Sequence, residues 1–117
     1  MKKSELLDLF LNLCRIDSPS GEEKSVGDYI INYLTSHKIR ASHDAYGNVI
    51  AKIAGEGKPL VLSAHLDTVE PGRGVKPVVR DGVVRSDGRT VLGADDKAGL
   101  TAAIAAAQEA VGQASWG

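Results

Sequence analysis

Two short motifs carry the residues that could do chemistry in this chain. His65 and Asp67 follow an apolar run, and Asp95 and Asp96 stand in front of an alanine-rich run further along. A histidine nitrogen can bind a metal ion, and one carboxylate can bridge two ions ~3.5–4 Å apart. Asp67 is placed to accept a hydrogen bond from the other nitrogen of His65 and fix its tautomer. These residue types therefore indicate a metal site.

Each motif also has a purely structural interpretation. A histidine at the end of a strand often only forms a hydrogen bond, and Asp95 with Asp96 could cap the free N–H groups of the helix that follows. Taken singly, neither motif decides between the two interpretations. Their combination favours the metal site, because each follows a predicted strand and the carboxyl ends of such strands meet at one edge of a sheet.

Hydrophobic spacing and composition predict three helices that would support this edge. The first covers residues 4–14 with Ser4 as its N-cap, and the second begins behind a capping box formed by Ser20 and Glu23 and ends near Ser36. The third covers residues 97–110 and follows from its alanine content. The buried stripe of the first helix is expected to consist of Leu6, Leu7, Phe10, Leu11 and Leu13.

Short extended runs predict the strands. They cover residues 39–44, 48–54 and 60–64, and Asp81-Gly82 predicts a hairpin with a type I′ turn. Residues 60–64 are apolar on both faces, which predicts a strand inside a sheet that helices cover. The chain is therefore predicted to have an α/β fold, a three-layer αβα arrangement with a mixed β-sheet, as one unit over residues 1–117.

Composition excludes several classes of partner. The 117 residues carry a net charge of −1 with a pI near 6.3, which gives no electrostatic reason to expect nucleic acid or an anionic membrane as a partner. No apolar run is long enough to span a bilayer, and acidic residues near the start interrupt any signal-peptide pattern. The single cysteine, Cys14, fits a packing role in a reducing compartment, so a cytoplasmic location is expected.

Five motifs together resemble one enzyme family. In their order and gaps they are similar to the amino-terminal part of the peptidase T-like branch of the dinuclear zinc metallopeptidases, relatives of carboxypeptidase G and aminoacylase. The resemblance covers nearly all of residues 4–110. The motifs are residues 17–23 (DSPSGEE), 47–52 (GNVIAK), 63–69 (SAHLDTV), 86–88 (SDG) and 92–99 (LGADDKAG).

The resemblance implies a role for each matching residue. His65 would bind one zinc ion, Asp95 would bridge two, and Asp67 would orient His65 as an active-site acid. Asp96 and Lys97 match the motif without being ligands, so they are expected to cap the helix and pair locally. His65 and Asp95 are expected to converge even without metal, with ligand atoms ~3.3–3.5 Å apart if they share a tetrahedral zinc. By resemblance, the Asp95–Asp96 peptide bond is expected to be cis.

The resemblance also implies a function and a limit to it. The expected activity is zinc-dependent hydrolysis of short peptides, as in an aminopeptidase or tripeptidase. Other divalent metals could take the place of zinc. The family's general base and remaining ligands match no residue here, and residues 111–117, where Gly112 is expected to stop the last helix, look atypical. The chain is therefore read as a truncated or divergent product that is inactive alone and prone to self-association through an uncovered sheet edge. Another amide hydrolase, such as a deacylase, and a non-catalytic metal-binding or scaffold fragment remain alternatives.

Overall fold

The computed structural model describes residues 1–114, which form three helices and two β-hairpins. In the first hairpin β1 pairs antiparallel with β2, and in the second β3 pairs antiparallel with β4. In chain order the elements are α1 (Lys3–Arg15), α2 (Lys24–Ser36), β1 (Ala41–His43), β2 (Val49–Ala51), β3 (Pro77–Arg80), β4 (Val83–Ser86) and α3 (Ala94–Ala114). The described residues thus combine helices and strands in the α/β class, and within residues 1–114 the strands form two separate antiparallel pairs.

The core lies where the three helices meet. α1 packs against α3, and α2 packs against the first hairpin. Apolar side chains from all three helices are withdrawn from water, and each buried side chain of this size contributes about 1.5–3 kcal/mol to folding. The buried cluster consists of Leu9, Leu13, Val26, Ile30, Leu34, Ile39, Leu100 and Ile104.

The first helix is confirmed, but its cap and part of its buried face differ from the prediction. Ser4 lies inside α1 and does not cap it, because the helix begins one residue earlier, at Lys3. The buried residues are Leu9, Leu13 and Cys14, whereas Leu6 is 38% exposed. The stripe is rotated because α1 packs against α3, and this contact selects the side of the helix that is buried. Cys14 has the predicted packing role.

The second helix and the second hairpin form where the sequence predicted them. α2 ends at Ser36 as expected, although Ser20 does not cap it and the residue before it, Glu23, makes no side-chain cap. Asp81 and Gly82 have φ angles of 53° and 74°, the left-handed values that a type I′ turn requires. Local chemistry therefore accounts for the hairpin.

The prediction of an interior strand over residues 60–64 is wrong. These residues form no strand, and Leu60, Val61 and Leu62 are 85%, 81% and 55% exposed. A strand buried on both faces needs partner strands on its edges and helices above and below. Among residues 1–114 no strand pairs with this segment, so its apolar side chains face solvent.

The last helix is longer than predicted. α3 continues past Gly112 to Ala114, so this glycine does not stop the helix, because a helix interior can include glycine at a cost of about 1 kcal/mol. Residues 115–117 of the predicted atypical tail lie outside the described residues. None of the helices described over residues 1–114 combines the length and apolarity that crossing a bilayer requires.

Candidate metal centre

The structure brings His65 and Asp95 together. His65 Nε2 lies 3.0 Å from Asp95 Oδ1, which confirms that the two side chains converge without metal. This is a hydrogen-bond distance and is slightly shorter than the ~3.3–3.5 Å between two ligands of one tetrahedral zinc. Because the Asp95 side chain is 97% exposed, a small rotation can supply the difference.

Asp67 occupies the other side of the His65 ring. Nδ1 of His65 donates to the Asp67 carbonyl oxygen at 2.8 Å and to Asp67 Oδ1 at 3.1 Å. Both neighbours of Nδ1 are acceptors, so Nδ1 carries a proton and Nε2 is the nitrogen that faces Asp95. Asp67 therefore lies where an orienting carboxylate should be.

The charges of this cluster reinforce one another. The hydrogen bond to Asp95 raises the pKa of His65, and the neighbouring Asp67 acts in the same direction. The pKa of Asp67 is lowered, chiefly by a hydrogen bond from the Ser20 hydroxyl and also by His65. The His65 ring therefore takes up a second proton more readily than an isolated imidazole, and in that doubly protonated form Nε2 must release its proton before it can bind a metal ion.

The two motif loops approach each other at Thr68 and Gly93. Thr68 is buried, and a Cβ placed at Gly93 would lie 3.2 Å from Thr68 Cγ2. Gly93 has a φ of +87°, which side chains other than glycine rarely adopt. The absence of a side chain at Gly93 therefore allows the loop that carries Asp95 to pack closely on the loop that carries His65.

The start of α3 is held by two residues with different roles. Asp95 and Asp96 have non-helical backbone angles, so the regular part of α3 begins after them. Asp96 Oδ1 accepts a hydrogen bond from the Gly99 amide at 3.1 Å, which confirms its predicted capping role. Lys97 was expected to pair locally, and this is wrong: its side chain is 2% exposed, and Nζ donates to the Ile16 carbonyl oxygen at 2.7 Å. Lys97 reaches the end of α1 because helix packing places that carbonyl against it. The Asp95–Asp96 peptide bond is cis, as the resemblance implied.

The donor set fits one part of a zinc site. An imidazole nitrogen and a carboxylate oxygen are common zinc ligands, and the Nδ1 contact of His65 matches the way metal-bound histidines are usually oriented. Within residues 1–114 no group of three or more His, Cys, Asp or Glu side chains could hold a metal ion. His65 and Asp95 therefore form a two-ligand arrangement with Asp67 behind it.

The sequence patterns did not indicate that Ser20 belongs to the site. The spacing of Ser20 and Glu23 predicts a capping box, but the Ser20 hydroxyl donates to Asp67 Oδ2 at 2.5 Å. The only signal was its position in the DSPSGEE motif, which precedes Asp67 by more than forty residues. Local patterns cannot show a contact between residues so distant in sequence.

Comparison with known proteins relates this chain to a family of peptidases. The profile of peptidase family M28 matches residues 48–116. The chain is similar to the uncharacterized protein YqjE of Bacillus subtilis, with 37% identity over 112 residues, and to the cytosol non-specific dipeptidase of Escherichia coli, with 32% identity over 115 residues. These matches cover 87% and 86% of this chain but only 30% and 24% of the relatives.

A solved structure gives the same result for the fold. A tripeptidase from Staphylococcus aureus superimposes with a TM-score of 0.87 at 32% identity, covering 98% of this chain and 34% of the tripeptidase. The predicted α/β class and the resemblance to zinc-peptidase relatives are thereby confirmed. The chain spans about a third or less of the length of the proteins it matches.

Proposed function

The chain belongs to peptidase family M28, and from this premise we propose that it is the metal-binding amino-terminal part of a catalytic domain that hydrolyses short peptides. The observation that carries the proposal is the contact between His65 Nε2 and Asp95 Oδ1, with Asp67 on the opposite ring nitrogen. The dipeptidase and tripeptidase relatives favour a short peptide as substrate. The cytosolic relative and the buried thiol of Cys14 favour a cytoplasmic location.

Each residue of the cluster has a specific role. His65 Nε2 and Asp95 would hold zinc, with Asp95 bridging two ions, while Asp67 keeps the imidazole in the orientation that presents Nε2. When bound, zinc supplies a water of lowered pKa and polarises the scissile carbonyl. Other divalent metals with a preference for nitrogen and oxygen ligands are compatible with the same donors.

Zinc binding by the purified chain tests the metal site. We expect His65→Ala to weaken zinc affinity at least tenfold in a competition assay with a chromogenic chelator. His43→Ala is a matched control, because His43 Nε2 lies 3.0 Å from Asp28 Oδ1 in a similar histidine–aspartate pair outside the motifs. Equal affinities for the chain and both variants would show that His65 is not a ligand.

The chain itself is expected to hydrolyse no peptide at a measurable rate. His65 and Asp95 supply two ligands, whereas catalytic zinc sites ordinarily use three protein ligands and a water. Loss of general-base assistance alone reduces rates by ~10²–10⁴. With excess Zn²⁺ and a panel of tripeptides, turnover should not exceed that of His65→Ala. Zinc-dependent cleavage that His65→Ala abolishes would place a complete catalytic set in this chain.

A second copy of the chain is the proposed partner of the exposed segment 60–62. Its three side chains are apolar and uncharged, and no strand described over residues 1–114 pairs with it. Unpaired backbone beside exposed apolar side chains is a template for pairing between copies. Sedimentation should show concentration-dependent dimers that Val61→Lys reduces, and a monomer at every concentration would exclude this partner.

A further inference from the structure

One segment, residues 16–20, contacts both loops of the candidate metal centre although it belongs to neither. The Ile16 carbonyl accepts from Lys97 Nζ at 2.7 Å, next to the loop that carries Asp95. The Ser18 carbonyl accepts from the Thr68 amide at 2.8 Å, inside the loop that carries His65. The backbone of this segment is thus anchored to both sides of the site.

Ser20 is the residue of this segment that reaches the cluster. Its hydroxyl donates to Asp67 Oδ2 at 2.5 Å, while the other oxygen, Oδ1, accepts from His65 Nδ1 at 3.1 Å. We propose that Ser20 is a positioning residue, which holds the Asp67 carboxylate against His65 and so keeps Nε2 directed at the metal position. This inference rests on the proposed function, in which Nε2 of His65 is the ligand.

The chemistry of the contact suits this role. An ionised carboxylate is purely an acceptor, so it needs donors on both oxygens to be held in one orientation. Hydrogen bonds from a hydroxyl to a carboxylate are short and about twice as strong as those between neutral groups. Without the hydroxyl, the partly exposed Asp67 carboxylate can rotate away from Nδ1, which leaves the Asp67 carbonyl oxygen as the remaining acceptor.

The Ser20 hydroxyl is not used for the role that its sequence pattern suggests. α2 begins at Lys24, and the carboxylate of Glu23 accepts from the Gly21 amide at 2.6 Å. Within residues 1–114 the Ser20 hydroxyl makes no capping contact with this helix. The hydroxyl is therefore committed to Asp67 alone among the contacts described.

Ser18 offers a matched control in the same segment. Its side chain is 0% exposed, and its hydroxyl has no hydrogen-bond partner among the residues that the structure describes. Ser18→Ala removes the same group as Ser20→Ala but no contact to the cluster. The pair Ser20→Thr and Ser20→Val adds a second comparison, because these side chains have nearly the same shape and only threonine retains the hydroxyl.

The first measurement uses the metal-free chain and does not depend on zinc. Imidazole ¹⁵N NMR, at a pH at which His65 is neutral, reports which ring nitrogen carries the proton and how fast that proton exchanges with water. The chain, Ser18→Ala and Ser20→Thr should show a protonated Nδ1 with slow exchange. Ser20→Ala and Ser20→Val should exchange this proton about tenfold faster. The His65 signal is identified by its loss in His65→Ala.

The second measurement is zinc affinity by chelator competition. Ser20→Ala and Ser20→Val should bind zinc about tenfold more weakly, the lower end of the range for residues that support a ligand. Ser20→Thr and Ser18→Ala should stay within about twofold of the chain, as expected for changes that remove no contact to the site. Far-UV circular dichroism should be the same for all variants.

The outcomes separate this proposal from the proposed function. If Ser20→Val matches Ser20→Thr in proton exchange, Ser20 does not position Asp67 and the proposal is overturned. If the Nδ1 proton exchanges faster in Ser20→Val than in Ser20→Thr but the chain binds no zinc through His65, Ser20 positions the ring and the proposed metal site is wrong. If Ser20→Thr and Ser20→Val differ in both proton exchange and zinc affinity, the result supports the positioning role of Ser20 and the proposed metal site.

Discussion

Lys97 should stabilise the fold mainly through its buried stem. Only 2% of the residue is exposed, so its methylene groups are withdrawn from water while Nζ donates to the Ile16 carbonyl oxygen. Lys97→Ala removes everything beyond Cβ, whereas Lys97→Met keeps three of the four heavy atoms beyond Cβ and removes the charge. Both variants remove the contact to Ile16, so the cost of leaving that carbonyl without its ammonium partner cancels in the comparison.

The difference between the two variants has a defined size. Three buried groups at ~0.8 kcal/mol each amount to ~2.4 kcal/mol, and a residual cavity adds to this. We therefore expect the free energy of unfolding of Lys97→Ala to be about 2–4 kcal/mol lower than that of Lys97→Met. Urea unfolding followed by far-UV circular dichroism measures both values.

An exposed lysine provides the reference for this comparison. Lys3 lies in the first turn of α1 with its side chain in solvent, so Lys3→Ala and Lys3→Met should differ by less than ~0.5 kcal/mol. If Lys97→Ala were as stable as Lys97→Met, burial of the stem would not be what anchors Lys97. The buried Lys97 side chain would then not be what holds α3 against α1.

Three further changes test the core and the loop that carries Asp95. Burial raises the pKa of Cys14 to about 11 from 9.0, so between these pH values the unfolded thiol ionises while the folded one keeps its proton. The free energy of unfolding relative to Cys14→Ala should thus fall by about 2 kcal/mol as pH rises from 9 to 11; a constant difference would contradict this. Leu13→Ala, at a position that is 0% exposed, should lower the free energy of unfolding by about 2–5 kcal/mol in urea titrations, and a loss below ~1 kcal/mol would show that the site collapses without a cavity. Gly93→Ala should lower the melting temperature more than Gly57→Ala, because both have positive φ but only a Cβ at Gly93 meets Thr68 Cγ2, at 3.2 Å; equal shifts would show that this approach is unimportant.

Features that depend on neighbouring residues could be predicted from the sequence. The Asp81-Gly82 turn follows from the tolerance of these residues for positive φ, and the helices follow from spacing and composition. The types of His65, Asp67 and Asp95 already indicated metal chemistry, because imidazole and carboxylate groups have this capacity wherever they lie. These properties are local or intrinsic to a side chain, so no tertiary contact is needed to state them.

Burial and partner choice could not be predicted in the same way. Residues 60–64 have the composition of an interior strand, yet three of their side chains are largely exposed because no described strand or helix covers them. Ser20 matched a capping box, but Asp67 accepts its hydrogen bond. In both cases the local pattern was genuine, and the outcome depended on which distant group was present or absent.

The meeting of His65 with Asp95 shows this division most clearly. The sequence alone identified His65 and Asp95 as residues able to bind a metal, each following an apolar run. It also indicated that Asp96, next to Asp95, could cap the helix. Their 3.0 Å separation arises from contacts between distant parts of the chain: Thr68 against Gly93, and Lys97 against the end of α1. Composition and spacing determine what a side chain can do, whereas packing of non-local elements determines which side chains can do it together.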